Sequence, residues 1–267
     1  MKNSGSFASY LFVPASRPDR IEKARQGTAD AVIVDLEDSI GHTDKDAARE
    51  AMSNLPTGKP LHIRINARGT PEHESDLNAV AVQLAASTVV LPKVESMEDI
   101  ACVVSSLPER LTVIALVESA RGIIAIEEIA NSGVERIMFG CIDYLTDIGA
   151  RSSREALAYP RNRLVVASRA AGLPAPVDGP SLTTSDEAVV RRDANEARAL
   201  GMGAKLCIHP MQVGVVNEVF RTSDEELSWA RSVLIAAEES GGGVFVHEGS
   251  MVDQPVLNRA RRLLGLQ

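Results

Sequence analysis

The sequence predicts an α/β fold, a (β/α)8 TIM barrel with an additional C-terminal segment, and three observations support it. Short apolar segments recur at regular spacing and are separated by amphipathic stretches. The apolar segments carry Val, Ile and Leu at consecutive positions, which is typical of parallel strands buried on both faces. Eight such strand–helix units fit in about 220 residues, which matches this barrel. No Gly-rich phosphate-binding motif follows a strand, which disfavours an open nucleotide-binding sheet.

The predicted strands are the short apolar segments, and most of them end in a charged or polar residue. In chain order they are Tyr10–Ala15, Ala31–Glu37, Leu61–Asn66, Thr88–Lys93, Leu111–Glu118, Arg136–Gly140, Ala175–Asp178 and Lys205–His209. Because they alternate with helical stretches, they are expected to lie parallel to each other in one sheet.

The predicted helices fill the intervals between these strands. Ser16 is a suitable cap for the first of them, and glycines at 27, 133, 172 and 201 stand where a helix would end. In chain order the helices are Pro18–Gln26, Thr43–Asn54, Pro71–Ala86, Ser96–Leu107, Arg121–Asn131, Ser153–Ala171, Thr184–Leu200 and Pro210–Val219.

The last 45 residues exceed what the barrel needs, and they predict a separate arm. A helix over Ser223–Glu239 is followed by three glycines, a strand-like piece at Val244–His247 and a final helix over Pro255–Leu264. A tri-glycine hinge before a compact element indicates an arm that is mobile or exchanged between subunits. We therefore predict two domains, a barrel over residues 1–222 and a helical extension over residues 223–267.

Composition excludes several classes of protein. The chain has 267 residues, is 45% hydrophobic and carries a net charge of −8, which argues against a nucleic-acid partner or a membrane surface. No apolar run approaches the roughly 18 residues of a membrane span. The cysteines, Cys102, Cys141 and Cys207, form no CxxC pair, and with no secretion signal they predict buried thiols in a cytoplasmic protein.

Charged residues at the strand ends predict the site, because catalysis in this barrel occurs at the C-terminal ends of the strands. Glu118 and Asp143 follow adjacent strands. Two carboxylates suit Mg²⁺, which takes its remaining ligands from water and substrate. The alternative is that both carboxylates complement helix dipoles. Position alone gives the two interpretations about equal weight.

Arg64 ends the third predicted strand, where its guanidinium could clamp a carboxylate and stabilise a developing oxyanion. The alternative is a structural ion pair with the acidic group Asp35 and Glu37, and both roles can hold at once. Glu37 would support Arg64 or orient metal-bound water. His209, beside the last strand, is expected to be a packing residue rather than a base.

The first helix offers a cluster of cations beside an aromatic ring. Arg17, Arg20 and Lys23 could bind phosphates, and Phe12 could offer a face to a flat ring. Spacing alone favours the simpler interpretation, a solvated surface helix.

Taken together, these segments resemble the citrate lyase β-subunit-like (CitE-like) branch of the HpcH/HpaI aldolase group over nearly the whole chain. Their order and spacing make the resemblance specific, although each segment alone would be weak. The matching segments are Leu11–Pro14 with Arg17, Asp30–Ser39, Lys45 with Arg49, Arg64–Asn66, Leu91–Lys93, Glu118 with Gly122, Phe139–Gly140 with Asp143, Ile208–Pro210 with Gln212, and Gly249–Asp253 with Pro255.

The resemblance implies a barrel whose C-terminal element packs on a neighbouring subunit, in homotrimers or larger assemblies. It implies Mg²⁺ on Glu118 and Asp143, and Arg64 at the substrate carbonyl and carboxylate. It marks Asp253 as an acid/base group that reaches a neighbour's active site. It also implies coenzyme A contacts from three residues of the first strand and helix, which are Phe12, Arg17 and Lys23.

The activity implied is that of a Mg²⁺-dependent lyase that cleaves a 3-hydroxyacyl-CoA to acetyl-CoA and a 2-oxo acid. The substrate would be citramalyl-CoA, malyl-CoA or citryl-CoA. Three alternatives stay open: an aldolase acting on free 4-hydroxy-2-oxo acids, a thioesterase acting on malyl-CoA-like esters, and a non-catalytic CoA-binding subunit.

Overall fold

The computed structural model describes residues 7–56, 58–241 and 243–266. The chain divides into two compact units, Met1–Phe220 and Arg221–Gln267. The first unit contains a closed eight-stranded barrel, and the second contains a two-stranded hairpin with two helices. No helix in the described part of the chain is long and apolar enough to cross a bilayer.

The barrel strands are parallel and pair in chain order, and β8 pairs with β1 to close the ring. Tyr10 lies opposite Ala31 on one side and Leu206 on the other. The predicted fold class is confirmed. The strands are β1 (Ser9–Pro14), β2 (Ala31–Asp35), β3 (Leu61–Arg64), β4 (Ala86–Leu91), β5 (Thr112–Val117), β6 (Arg136–Phe139), β7 (Val177–Asp178) and β8 (Ala204–Cys207).

Helices follow the strands and cover the outside of the barrel. The helices of the first unit are α1 (Pro18–Arg25), α2 (Lys45–Ser53), α3 (His73–Val82), α4 (Met97–Ser106), α5 (Ala120–Ile124), α6 (Ile126–Ala130), α7 (Cys141–Asp147), α8 (Arg154–Ala170), α9 (Glu187–Ala199) and α10 (Pro210–Phe220).

The barrel wall has two apolar sides, which explains the consecutive apolar residues of the strands. Along β2, Ile33 joins a cluster with residues of the other strands, while its neighbours Val32 and Val34 pack in the larger cluster that includes helix residues such as Ile21 and Met52. Successive strand side chains point to opposite faces, so one set fills the lumen and the other contacts the helices. The lumen is therefore packed, and polar groups gather at its ends.

Three predictions about single elements were wrong. The helix predicted over Pro71–Ala86 ends at Val82, because the Gln83 side chain accepts a hydrogen bond from the Ala85 N–H and fixes a turn into β4. The helix predicted over Arg121–Asn131 is two short helices, α5 and α6. Cys102 is exposed on α4, whereas Cys141 and Cys207 are buried as predicted.

The second unit has a small core of its own. Helix α11 (Asp224–Glu239) begins with a capping box between Ser223 and Glu226. An antiparallel hairpin of β9 (Phe245–His247) and β10 (Ser250–Val252) follows, then α12 (Gln254–Leu263). Only the first of these strands was predicted from the sequence. The buried core of this unit consists of Ala230, Val233, Val252, Leu257 and Ala260.

Candidate active site

A cavity of about 400 Å³ opens at the C-terminal ends of the barrel strands. It brings together Arg64, Glu118 and Asp143, three of the residues predicted from the strand ends, and Phe12 of β1. Asp35, Asp38 and Ser39 add further polar groups to the wall, and its apolar part includes Pro14, Leu116, Ile142, Pro180, Leu206 and Ile208. One guanidinium and several carboxylates therefore face a pocket whose remaining wall is mainly apolar.

Arg64 is held in place by two carboxylates. Its Nε and one terminal nitrogen donate to the two oxygens of Asp35 at 2.6 and 2.8 Å, and its other terminal nitrogen lies 3.0 Å from Glu37 Oε2. The guanidinium carbon stands 4.8 Å from the centre of the Phe12 ring. Both interpretations of Arg64 thus have support, since it forms structural ion pairs and also lines the cavity.

Burial and the neighbouring positive charges shift the pKa values of Asp35 and Glu37, the two partners of Arg64, in opposite directions. Burial alone would raise the pKa of Asp35, but the Arg64 guanidinium outweighs it and the pKa lies below its usual value. Burial raises the pKa of Glu37, and Arg64 and Lys93 only partly oppose the effect. Asp35 is therefore the permanent counter-ion of Arg64, and Glu37 is the more easily protonated of the two.

Glu118 directly follows β5 and is only 4% exposed. Burial, with smaller contributions from the charges of Glu37 and Asp143, raises the pKa of Glu118 to about 8. Space for its carboxyl group depends on Gly140, because a Cβ at that position would lie 2.5 Å from Glu118 Oε2. A buried carboxyl group beside other acids favours a bound cation over a free charge.

Asp143 comes from the first turn of α7, a helix that was not predicted from the sequence. Its carboxylate and that of Glu118 face one cavity from adjacent strand ends, which fits the preference of Mg²⁺ for one or two carboxylates plus water and substrate. Within the described residues, no group of three His, Cys, Asp or Glu side chains could form a closed metal cage. A cation here would keep open positions.

A second cavity, of about 490 Å³, lies against β1, α1 and the start of α10. It shares Phe12, Pro14 and Ile208 with the first cavity, so the two are neighbours. Lys23 lines it as the sequence suggested, and Arg20 lines it as well. The structure thus places two exposed cations of α1 along an open cavity.

Arg17 does not line either cavity. Its guanidinium instead makes two hydrogen bonds, of 2.9 and 2.7 Å, with Asp19 at the exposed start of α1. His209 lines the second cavity, and its Nδ1 accepts a hydrogen bond from the Met211 N–H at 3.3 Å, but it is exposed rather than packed as expected.

Asp253 belongs to the second unit. There it caps α12, accepting a hydrogen bond from the Val256 N–H at 3.3 Å, and it is half-buried. The structure therefore gives Asp253 a local role within its unit, and its predicted acid/base role stays a prediction.

The sequence placed Lys93 at a strand end but did not predict its contacts with two acidic residues of the site. The Lys93 N–H donates to Glu118 Oε1 at 2.8 Å, and its ammonium group pairs with Glu37. Sequence reasoning also missed Lys45, whose buried ammonium group bonds the carbonyls of Leu36 and Glu37 and the side chain of Asn66. A lysine at a helix start gives no signal that it will turn inward.

The fold and the site define a (β/α)8-barrel protein in which two carboxylates and a fixed guanidinium line one cavity and two cationic side chains line the next. A sequence profile of the HpcH/HpaI aldolase/citrate lyase family matches residues 8–210. The chain belongs to this family, as its motifs predicted.

Individual relatives agree over nearly the full length. The chain is 41% identical to a citrate lyase subunit beta-like protein of Mycobacterium tuberculosis, over 96% of this chain and 93% of the relative. It is 31% identical to the mitochondrial citramalyl-CoA lyase of Homo sapiens, over 97% of this chain and 84% of that one. The crystal structure of CitE from M. tuberculosis with magnesium, acetoacetate and coenzyme A matches with a TM-score of 0.86 and 38% identity, covering 98% of both chains.

Proposed function

We propose that this protein is a Mg²⁺-dependent lyase that cleaves a 3-hydroxyacyl-CoA, namely citramalyl-CoA, malyl-CoA or citryl-CoA, to acetyl-CoA and a 2-oxo acid. One observation carries the proposal: the Glu118–Asp143 carboxylate pair and the fixed Arg64 guanidinium face one cavity, and a cation-lined cavity adjoins it. The first can hold the reacting carbons, and the second can hold a long phosphorylated carrier.

Glu118 and Asp143 would hold Mg²⁺, the metal present in the CitE structure. Bound there, Mg²⁺ supplies Lewis-acid polarisation of the substrate's hydroxyl and carboxylate oxygens. The chain's part is to keep the two carboxylates close in an apolar wall, where the raised pKa of Glu118 reflects the lack of other compensation.

Arg64 would stabilise the negative charge that forms on the substrate's hydroxyl oxygen when that hydroxyl loses its proton to water. Its side chain is already oriented by Asp35 and Glu37, so no reorganisation is needed when that charge develops. As the carbon–carbon bond breaks, that oxygen becomes the keto oxygen of the departing 2-oxo acid, and the electrons of the broken bond pass to the thioester as an enolate. Protonation of the enolate carbon then gives acetyl-CoA, and we assign that proton to Asp253.

Coenzyme A would lie along α1, with Lys23 and Arg17 on its phosphates and Phe12 against a flat or thioester portion. Lys23 and Phe12 line the second cavity. Arg17 would have to exchange its exposed bond with Asp19, which is a weak surface interaction. Arg20 adds a cation on the same wall.

Asp253 would act from a neighbouring copy in a homotrimer or larger homo-oligomer. In support, Val244, Val246 and Met251 of the hairpin segment are between 65% and 73% exposed in the single chain. Exposed apolar side chains grouped on one small element are typical of a surface that another chain covers. The assembly would be cytoplasmic, with no nucleic-acid or membrane partner.

The test is acetyl-CoA release, measured by mass spectrometry, from citramalyl-, malyl- and citryl-CoA with Mg²⁺ and with EDTA. We expect metal-dependent acetyl-CoA from at least one thioester, and none from a Glu118→Ala variant that remains folded. Free CoA without acetyl-CoA would instead identify a thioesterase.

The same assay separates the remaining alternatives. If the thioesters are left intact while a free 4-hydroxy-2-oxo acid is cleaved, the protein is an aldolase. Binding of CoA without turnover of any of these compounds would identify a non-catalytic binding subunit.

A further inference from the structure

Lys93 has an unusual backbone for an active-site residue. Its φ is +53°, and Glu248, in the hairpin turn of the second unit, is the other non-glycine residue with positive φ in the described ranges. The left-handed region is sterically costly for a side chain with a Cβ, and such conformations persist where the surrounding structure requires them. Lys93 lies two residues after the end of β4 and directly contacts Glu118, which lines the first cavity.

The left-handed turn directs the Lys93 N–H toward Glu118. That N–H donates to Glu118 Oε1 at 2.8 Å. The other oxygen, Oε2, lies on the Gly140 side, where no Cβ is present to displace it. The Lys93 backbone thus fixes Oε1 of Glu118. This sets the orientation of the carboxylate and so the direction from which a cation can bind it.

The Lys93 side chain connects to the opposite half of the site. Its ammonium group pairs with Glu37, and the second oxygen of Glu37 lies 3.0 Å from an Arg64 terminal nitrogen. A single residue therefore contacts the proposed metal carboxylate through its backbone and the counter-ion of the guanidinium through its side chain.

We propose that Lys93 is a positioning residue that sets the carboxyl group of Glu118 and, through Glu37, the guanidinium of Arg64. The left-handed backbone orients Glu118 for metal binding, and the ammonium group orients Arg64 through Glu37. The second statement rests on the proposed lyase function, whereas the first can be tested without substrate.

Three substitutions separate backbone from side chain. Lys93→Gly accepts positive φ and removes the ammonium group. Lys93→Val disfavours positive φ because it is β-branched. Lys93→Arg keeps a cation of similar reach. Mn²⁺ serves as the probe metal, and its Kd is measured by electron paramagnetic resonance without substrate, alongside kcat and KM for the thioester that the wild type cleaves.

For Lys93→Val we expect the Mn²⁺ Kd to weaken by about tenfold, the usual loss when a group that orients a metal ligand is removed. For Lys93→Gly we expect a Kd within about threefold of wild type but a kcat lower by about tenfold or more, with KM little changed. Lys93→Arg should recover most of that kcat.

Glu248→Val is the matched control, since it strains the other left-handed residue and should leave the Mn²⁺ Kd unchanged. If Lys93→Val does not fold, Lys93→Ala is the substitute, because alanine disfavours positive φ less strongly than valine does. Its affinity for Mn²⁺ should be weaker than that of Lys93→Gly. An unchanged Kd in these variants would overturn the backbone role, and a wild-type kcat in Lys93→Gly would overturn the side-chain role. If the wild type cleaves no thioester, the lyase proposal fails, while the Mn²⁺ Kd still decides the backbone role.

Discussion

Burial and two neighbouring acids disfavour the negative charge of Glu118 more strongly than Lys93 favours it. Glu118 is buried, and Glu37 and Asp143 lie close enough to raise its pKa further, to about 8 from the usual 4.5. In the metal-free protein this carboxyl group is therefore largely protonated at neutral pH, and a cation must displace the proton to bind.

We predict that metal affinity rises with pH. Below about pH 8 the proton on Glu118 competes with the metal, so the Kd for Mn²⁺ should fall by up to about tenfold per pH unit between pH 6 and pH 8 and level off above. Titration at several pH values, followed by electron paramagnetic resonance, measures this. In Glu118→Gln the affinity should be low throughout and this slope should be lost, and a slope that persists in that variant would assign the proton elsewhere.

The residues that sequence could identify are those whose role follows from position on a strand. Arg64, Glu118 and Asp143 were predicted because they follow strands of a barrel, and the cavity contains all three. The role of Lys93 could not be predicted, because it depends on a left-handed backbone that no residue type signals. Arg20 lines the second cavity while Arg17, which precedes α1, bonds Asp19 instead, and the sequence spacing does not distinguish the two.

At the scale of elements, the strands were predictable and several helix boundaries were not. Most strands are rich in apolar residues at consecutive positions, and the wall that they form is buried on both sides, so pattern and structure coincide. The short helix α7 follows Gly140 directly, with no capping side chain and no intervening loop to signal its start. The break between α5 and α6 at Ala125 likewise has no glycine or proline to mark it.

The junction of β6 and α7 gives a test at this scale. A Cβ added to Gly140 would lie 2.5 Å from both Cβ and Oε2 of Glu118, so Gly140→Ala must displace that side chain. We predict a metal affinity about ten- to a hundredfold weaker, with the barrel still folded. Mn²⁺ binding and circular dichroism provide the two measurements.

Gly214 supplies the control for that substitution. It lies inside α10, and a Cβ there would contact nothing within 4 Å. Gly214→Ala should raise the free energy of unfolding by about 0.5–1 kcal/mol and leave metal binding unchanged. Equal metal affinities in the two alanine variants would show that Gly140 is not needed for space around Glu118.

At the scale of the whole molecule, a histidine buried in the barrel, His62, makes the free energy of unfolding depend on pH. This side chain is 4% exposed, both ring nitrogens lack a hydrogen-bond partner within the described residues, and its ring stands 5.5 Å from that of Tyr10. Burial lowers the pKa of His62 from 6.5 to about 4. The unfolded chain therefore binds a proton between these values that the folded chain does not.

We predict that the folded state loses stability through this histidine as the pH falls from about 6.5 to about 4. The shift of pKa corresponds to a loss of up to about 3 kcal/mol, complete near pH 4 and absent above pH 7. Urea unfolding at pH 7 and at pH 4.5 measures it. His62→Phe keeps an aromatic ring and removes the proton, so its unfolding free energy should fall less over the same interval. An equal fall in both proteins would mean that other groups cause the acid sensitivity.

The proposed exchange of the arm predicts complementation between two inactive variants. Glu118→Gln removes a group of the barrel unit, and Asp253→Asn removes a group of the second unit. If Asp253 acts in a neighbour's cavity, mixed oligomers contain sites in which an intact barrel meets an intact arm from another copy. Equal, random mixing around a closed ring makes about a quarter of the sites complete, so activity should return to roughly that fraction of wild type.

The two variants should be unfolded and refolded together, so that subunits exchange, and refolded separately as the control. Size-exclusion chromatography with light scattering should give the same oligomer for both variants and for the mixture. If the co-refolded mixture cleaves the thioester faster than the two separately refolded variants do together, the arm acts between subunits. If Asp253 instead acts in its own subunit, every copy carries one lesion in its own site, and co-refolding restores nothing.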